Sequence, residues 1–162
     1  LLPYEEVRDY FHYVDNYVDD LDRAAEDLAE RLGLASASDR LQLLAGYLAA
    51  RHGLNVDANA NLGDDVLERY EAGPNIIVLD GSLDSSTRAF LLANRIARLE
   101  QSDTMAAIVS GAGFRSRAAG DIARVALANY FAGALLLPYR RFLAAAKDTR
   151  HDLDRLGRIF GA

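Results

Sequence analysis

Between residues 7 and 32 the apolar positions fall at Val7, Phe11, Val14, Val18, Leu21, Ala25, Leu28 and Leu32, spaced alternately four and three apart. That spacing draws one stripe along an α-helix. It predicts a helix from Tyr4 to about Leu32, opened by Pro3 and stopped by Gly33. The stripe has two readings: the helix packs on its own domain, or two copies meet along it in a homodimer. A second helix is expected from a Ser38 cap through Leu41, Leu44, Tyr47 and Leu48 to Arg51, with Gly53 as its stop. The pattern then changes period. Residues Asn55–Ala58 and Val66–Tyr70 read as short strands, and Glu71–Asn75 reads as a turn. Ile76-Ile77-Val78-Leu79 is the strongest strand signal, bounded by that turn and Asp80-Gly81.

From residue 85 the helical period returns. Ser85 or Ser86 caps a helix to about Glu100, and Thr104–Val109 forms a short one. A longer apolar helix spans about Ser116 to Leu136 before Pro138, with helical pieces over Tyr139–Asp148 and Asp152–Ile159. The expected fold is therefore α+β, mostly helical, with a small sheet of about three strands. Residues 1–162 are expected to form a single domain, since neither an internal repeat nor a linker divides them.

Composition narrows the possible chemistry. A chain of 162 residues, 51% hydrophobic, with three prolines and twelve glycines, builds a core and is not a disordered tract. No apolar run approaches the roughly 20 residues of a bilayer helix. Cysteine is absent, which removes disulfides, thiolate metal sites and cysteine nucleophiles. The net charge of −6 is unevenly spread: residues 1–30 are strongly acidic and residues 85–162 are basic. The acidic part suits nucleic acid poorly, whereas the basic part suits a small anion. The first residue is Leu1, and no signal pattern follows it, so the chain reads as an excised piece of a larger cytoplasmic protein.

Catalytic motifs are mostly missing. Ser110-Gly111-Ala112-Gly113 lacks the residues of both a phosphate loop and a nucleophile elbow. Of the three histidines, His52 reads as a helix C-terminal residue, and His12 and His151 read as surface residues.

One stretch says more. A strand ending at Asp80 is followed by a helix containing Arg88-Ala89-Phe90-Leu91-Leu92-Ala93-Asn94-Arg95-Ile96-Ala97-Arg98. This resembles the active-site helix of the ImmA/IrrE type of zinc metallopeptidase, which carries His-Glu-x-x-His directly after Leu-Ala. Such enzymes hold zinc with two histidines one helical turn apart and use the glutamate as general base. Here those positions are Asn94, Arg95 and Arg98. Arginine stays protonated and offers no lone pair. Downstream, Leu127-Ala128-Asn129-Tyr130-Phe131-Ala132 through Pro138 resembles the same family's second signature. There the resemblance implies a glutamate ligand in a turn, at Arg124–Leu127, where no carboxylate stands. The resemblance thus implies a degenerate zincin-like core without metal and without peptidase activity.

Two further segments, Pro3–Phe11 and Leu21-Asp22-Arg23-Ala24-Ala25-Glu26, make almost the whole chain similar to the central domain of actinobacterial short-chain fatty-acyl transcriptional regulators, the PrpR/RamB type. The resemblance implies a sensing domain for a short-chain acyl-CoA, with propionyl-CoA the suspected ligand and no resident cofactor. It implies that a helix-turn-helix domain elsewhere in the parent makes the DNA contact. A homodimer or higher oligomer is expected, with no membrane partner. Such a ligand needs arginines for its phosphates, an aromatic surface for its base and an apolar slot for its acyl group. The candidate contacts are Phe11, Arg23, Tyr47, Arg51, Arg95 and Arg98. Each also has an ordinary structural reading: core packing for Phe11 and Tyr47, ion pairs or helix ends for the arginines. The alternatives are a metallopeptidase-like enzyme, a pseudoenzyme that binds peptide in the old cleft, or a pure oligomerisation module.

Overall fold

The apolar stripe of the first 32 residues does not build one helix. In the computed structural model, which describes residues 2–63 and 65–137, it is divided between α1 (Pro3–Tyr13) and α2 (Asp19–Leu32). The chain turns between them because Asp15 and Asn16 take left-handed backbone (φ 57° and 56°). Aspartate and asparagine adopt that conformation more readily than other non-glycine residues. The seam keeps its direction all the same. Val7, Phe11, Val18, Leu21, Ala25 and Leu28 are all buried in the chain's own core. The packing reading of the stripe is the one the structure adopts, so those residues do not form a dimer seam.

A 3₁₀ turn (Leu34–Ser36) leads to α3 (Arg40–His52). Its cap is Asp39, not Ser38: the Asp39 carboxylate accepts the Gln42 amide at 3.0 Å. Gly53 ends it in left-handed conformation, as expected. The strands are β1 (Asn55–Ala60), β2 (Glu68–Glu71) and β3 (Ile76–Asp80). β3 is central, parallel to β1 and antiparallel to β2, which gives the order β1-β3-β2. A central strand is covered on both sides, and Ile77, Val78 and Leu79 are accordingly buried. At its end Gly81 passes so close to β1 that a Cβ would stand 2.9 Å from Asn59 Cα.

Three helices complete the described fold: α4 (Ser85–Glu100), α5 (Ser102–Ala112) and α6 (Arg117–Leu136). Asp84, one residue before the expected serines, caps α4 by accepting the Thr87 amide at 2.7 Å. Ser116 caps α6 through Ala119. α6 is the central pillar, packed by α1, α2, α4 and α5. Its buried face is rich in alanine, which lets those helices approach closely. Residues 124–127 lie inside this unbroken helix, so the turn implied there by the resemblance is absent. The expected helices over Tyr139–Asp148 and Asp152–Ile159 lie outside the described residues. The fold is α+β, and among the described residues one apolar cluster joins all six helices to the sheet. No described helix is long and apolar enough to cross a membrane.

Candidate functional site

The three positions to which the resemblance assigns metal chemistry, Asn94, Arg95 and Arg98, lie on α4 and bond to side chains of α6 and β2. Asn94 donates through Nδ2 to Asn129 Oδ1 on α6 at 3.0 Å. Arg95 and Arg98 both donate to Glu68 Oε1 on β2, at 2.8 and 3.1 Å. The Arg95 guanidinium also stands 5.5 Å from the centre of the Tyr70 ring, a cation–π arrangement. The Arg95 and Glu68 side chains are only 17% and 16% exposed, so this pair ties β2 to α4 in a largely dry setting. Within it Arg95 Nε and Glu68 Oε2 are buried with no hydrogen-bond partner among the described residues.

The donor set does not fit zinc. An amide and two protonated guanidiniums replace the two imidazoles and the general base, and the α6 position offers no carboxylate. Among the described residues no group of three or more histidines and acids is placed to hold a metal ion. The two arginines, read from the sequence as an anion site or as ion-pair partners, are ion-pair partners here. Their acid comes from the middle of the chain. Glu68 was not singled out by sequence reasoning, because a strand residue 27 positions from Arg95 meets it only through the sheet.

The second cluster lies on α3. Tyr47 donates its hydroxyl to Glu100 Oε2 at 2.6 Å, and His52 Nε2 lies 2.6 Å from the same oxygen. The two rings meet edge to face at 6.1 Å. Burial and the adjoining Glu100 carboxylate push the Tyr47 hydroxyl up to about 12, with Arg31 and Arg51 nearby pulling the other way. Tyr47 and Arg51 therefore share a neighbourhood, one that Arg31 of α2 also enters. His52 does more than complement a helix end: it links α3 to the last residue of α4.

The other sequence candidates do not converge on this cluster. Phe11 is 0% exposed and packs against Tyr10 and Tyr130, so it is a core residue in this conformation. Arg23 is on the outer face of α2, its side chain 78% exposed, and it pairs with Asp19 at 2.9 Å. Asp27, four residues beyond Arg23, pairs instead with Arg31 at 3.0 Å.

A further buried polar group was not legible beforehand. Tyr130 of α6 donates to Asp22 Oδ2 at 2.8 Å and accepts the Val18 amide at 2.9 Å. It thereby fixes the start of α2 on the central helix. Burial raises the Asp22 carboxyl above its usual range, against the lowering effect of the Tyr130 hydrogen bond.

Known proteins place this arrangement. The chain is 41% identical over 160 residues to the HTH-type transcriptional regulator PrpR of Mycobacterium tuberculosis, covering 99% of this chain and 33% of that protein. It is 43% identical over 162 residues to the propionyl-CoA carboxylase regulator of Cereibacter sphaeroides, again 99% and 33%. RamB of M. tuberculosis, also an HTH-type transcriptional regulator, is 38% identical over 159 residues. The chain thus spans about a third of the length of the curated relatives it matches. A solved M. tuberculosis transcriptional regulator superposes with a TM-score of 0.82 at 40% identity, over 100% of this chain and 49% of the other. Residues 49–162, which include the three strands of the sheet and the α4 helix, match the IrrE N-terminal-like domain of the peptidase M78 group: the chain belongs to the IrrE N-terminal-like family.

Proposed function

We propose that this chain is the ligand-sensing domain, residues 1–162, of a cytoplasmic transcription regulator of short-chain fatty acid metabolism. It reads a short-chain acyl-CoA, with propionyl-CoA the first to test, and performs no catalysis. The observation that carries the reading is the state of the inherited zinc positions. Asn94, Arg95 and Arg98 are held by Asn129 and Glu68, which leaves a peptidase scaffold without its chemistry. The similarity to a propionyl-CoA carboxylase regulator supports the ligand class.

On this reading Arg51 of α3, with Tyr47 beside it, grips one phosphate, and Arg23 on the outer face of α2 offers a second, separate cationic contact. α2 packs mainly on α6 and α3 on α4 and β1, so the two helices have faces to spare for a ligand. Phe11 supports the core behind α2. Arg95 and Arg98 form a second anion-binding pair that a ligand reaches only by displacing Glu68. The ligand favours one arrangement of the domain over another and so biases a helix-turn-helix domain elsewhere in the parent. A homodimer or larger assembly is built on surfaces other than the buried α1–α2 seam.

Calorimetric titration with propionyl-CoA tests the reading. Saturable binding is expected, weakened about tenfold or more in Arg23→Ala and Arg51→Ala, since a charge-assisted phosphate contact contributes about 1.5–3 kcal/mol. Absence of saturable binding in the unaltered chain overturns the function. Unchanged affinity in both variants overturns the location.

A further inference from the structure

The two edges of the sheet differ in kind. The pairing of β1 is irregular between Asp57 and Ala60. Side chains also occupy two of its backbone groups: Arg88 donates to the Ala58 carbonyl at 2.9 Å, and the Asp57 carboxylate accepts the Asn59 amide at 3.1 Å. Bulges and covered backbone are devices that keep an edge strand from pairing with another chain. β2 carries neither. Its register with β3 runs unbroken from Glu68 to Glu71, and the strand contains no proline or lysine. Among the described residues no strand pairs on its far side.

The ladder decides what that side offers. The Asp80 amide donates to the Leu67 carbonyl at 3.1 Å, which makes these two a hydrogen-bonded pair. Such pairs alternate along an antiparallel ladder, so Arg69 and Glu71 bond to β3 while Glu68 and Tyr70 direct their N–H and C=O outward. Side chains alternate too. Glu68 and Tyr70 face α4 through Arg95, and Arg69 and Glu71 pair with each other on the opposite face at 2.9 Å. Of the six large hydrophobic side chains left exposed among the described residues, three belong to this edge. They are Val66 just before β2, Tyr70 on it, and Leu99, one turn of α4 beyond Arg95.

We infer that β2 is a docking edge for a second copy of this chain, the two strands pairing antiparallel about a two-fold axis at Tyr70. The strand is complementary to its own reverse. With Tyr70 opposite its counterpart, Arg69 of each copy stands opposite Glu71 of the other. Both Tyr70 residues direct their backbone groups outward, so they exchange two main-chain hydrogen bonds. Opposite charges and aromatic rings directly across a ladder both stabilise it. The two three-stranded sheets become one, and the blunted β1 strands end it on either side, so pairing stops at two copies. The inference rests on the homo-oligomer reading above and is independent of the acyl-CoA reading. A four-residue strand makes a small contact, so dimers are expected only at high protein concentration.

Sedimentation velocity over a concentration series supplies the test. The unaltered chain is expected to pass from monomer to dimer as concentration rises. Arg69→Glu and Glu71→Arg each set like charges opposite one another at both symmetric positions, and each is expected to weaken dimerisation about tenfold. Mixed in equal amounts, the two variants present opposite charges to one another throughout, so a heterodimer of near-unaltered affinity is expected. Mixing does not repair a folding defect, which keeps the readout on the interface. Amide hydrogen exchange at Glu68 and Tyr70 is expected to slow as concentration rises. A dimer insensitive to both reversals overturns the edge and leaves the homo-oligomer reading standing. Weakened variants that form no heterodimer on mixing overturn the edge as well. A chain that stays monomeric at every concentration overturns both, and protected Glu68 and Tyr70 amides in that monomer would assign β2 to another segment of the same chain.

Discussion

Asp22 and Tyr130 show how one buried acid makes stability depend on pH. The Asp22 carboxyl is raised in the fold, so the folded state holds its proton more tightly than the unfolded chain. The stabilising share of that proton is complete below the ordinary carboxylate value near 4 and is lost as pH rises through the higher folded value. Asp22→Asn keeps an oxygen for the Tyr130 hydroxyl and removes the titration. Its urea midpoint, compared with that of the unaltered chain, is expected to improve from pH 4 to pH 7, and the opposite trend would show the burial argument to be wrong. At Glu68 the expectation is a loss. Glu68→Ala leaves two guanidiniums without their shared carboxylate, Arg95 17% exposed and Arg98 44% exposed. This is between a surface pair and a fully buried one, and a cost of about 1–3 kcal/mol in denaturant unfolding is expected. The sequence made the three altered zinc positions legible, because a missing imidazole is visible at once. Their new partners were not legible, since Glu68 and Asn129 reach α4 only once the sheet and α6 are in place.

Elements were readable wherever local chemistry decides them. Gly53, the Ile76–Leu79 run and the cap of α6 at Ser116 all act within a few residues, and their elements fall where the pattern puts them. The first helix was misread because its seam stays in phase across the break. Asp15-Asn16 was the available signal, two residues tolerant of left-handed backbone side by side. Caps at Asp39 and Asp84 were each misplaced by one or two positions among rival polar residues. Two glycines allow a matched comparison within elements. Gly46 lies inside α3 with nothing among the described residues within 4 Å of an added Cβ, so Gly46→Ala is expected to stabilise by about 0.5–1 kcal/mol. At Gly81 the same added methyl meets Asn59 backbone at 2.9 Å. Gly81→Ala is expected to destabilise by about 1–3 kcal/mol through strand displacement. Thermal unfolding of the two variants side by side checks the pair, and two changes of the same sign would contradict the close approach of β1 and β3.

At the scale of the whole molecule, ligand and fold are linked by mass action. A ligand that binds only the folded chain, at a hundred times its dissociation constant, adds about 2.7 kcal/mol. For 162 residues this corresponds to a rise in melting temperature of roughly 5–10 °C. Propionyl-CoA is expected to produce it and CoA alone to produce less, as read by differential scanning calorimetry at fixed protein concentration. The corner between α1 and α2 has a practical consequence. Tyr13, at its outer edge, is 86% exposed, and the chain has no cysteine of its own. Tyr13→Cys therefore supplies one solvent-facing thiol at the joint between the two helices. A dye attached there gives a local readout of whether α1 swings relative to α2 when ligand arrives, without disturbing the core beneath.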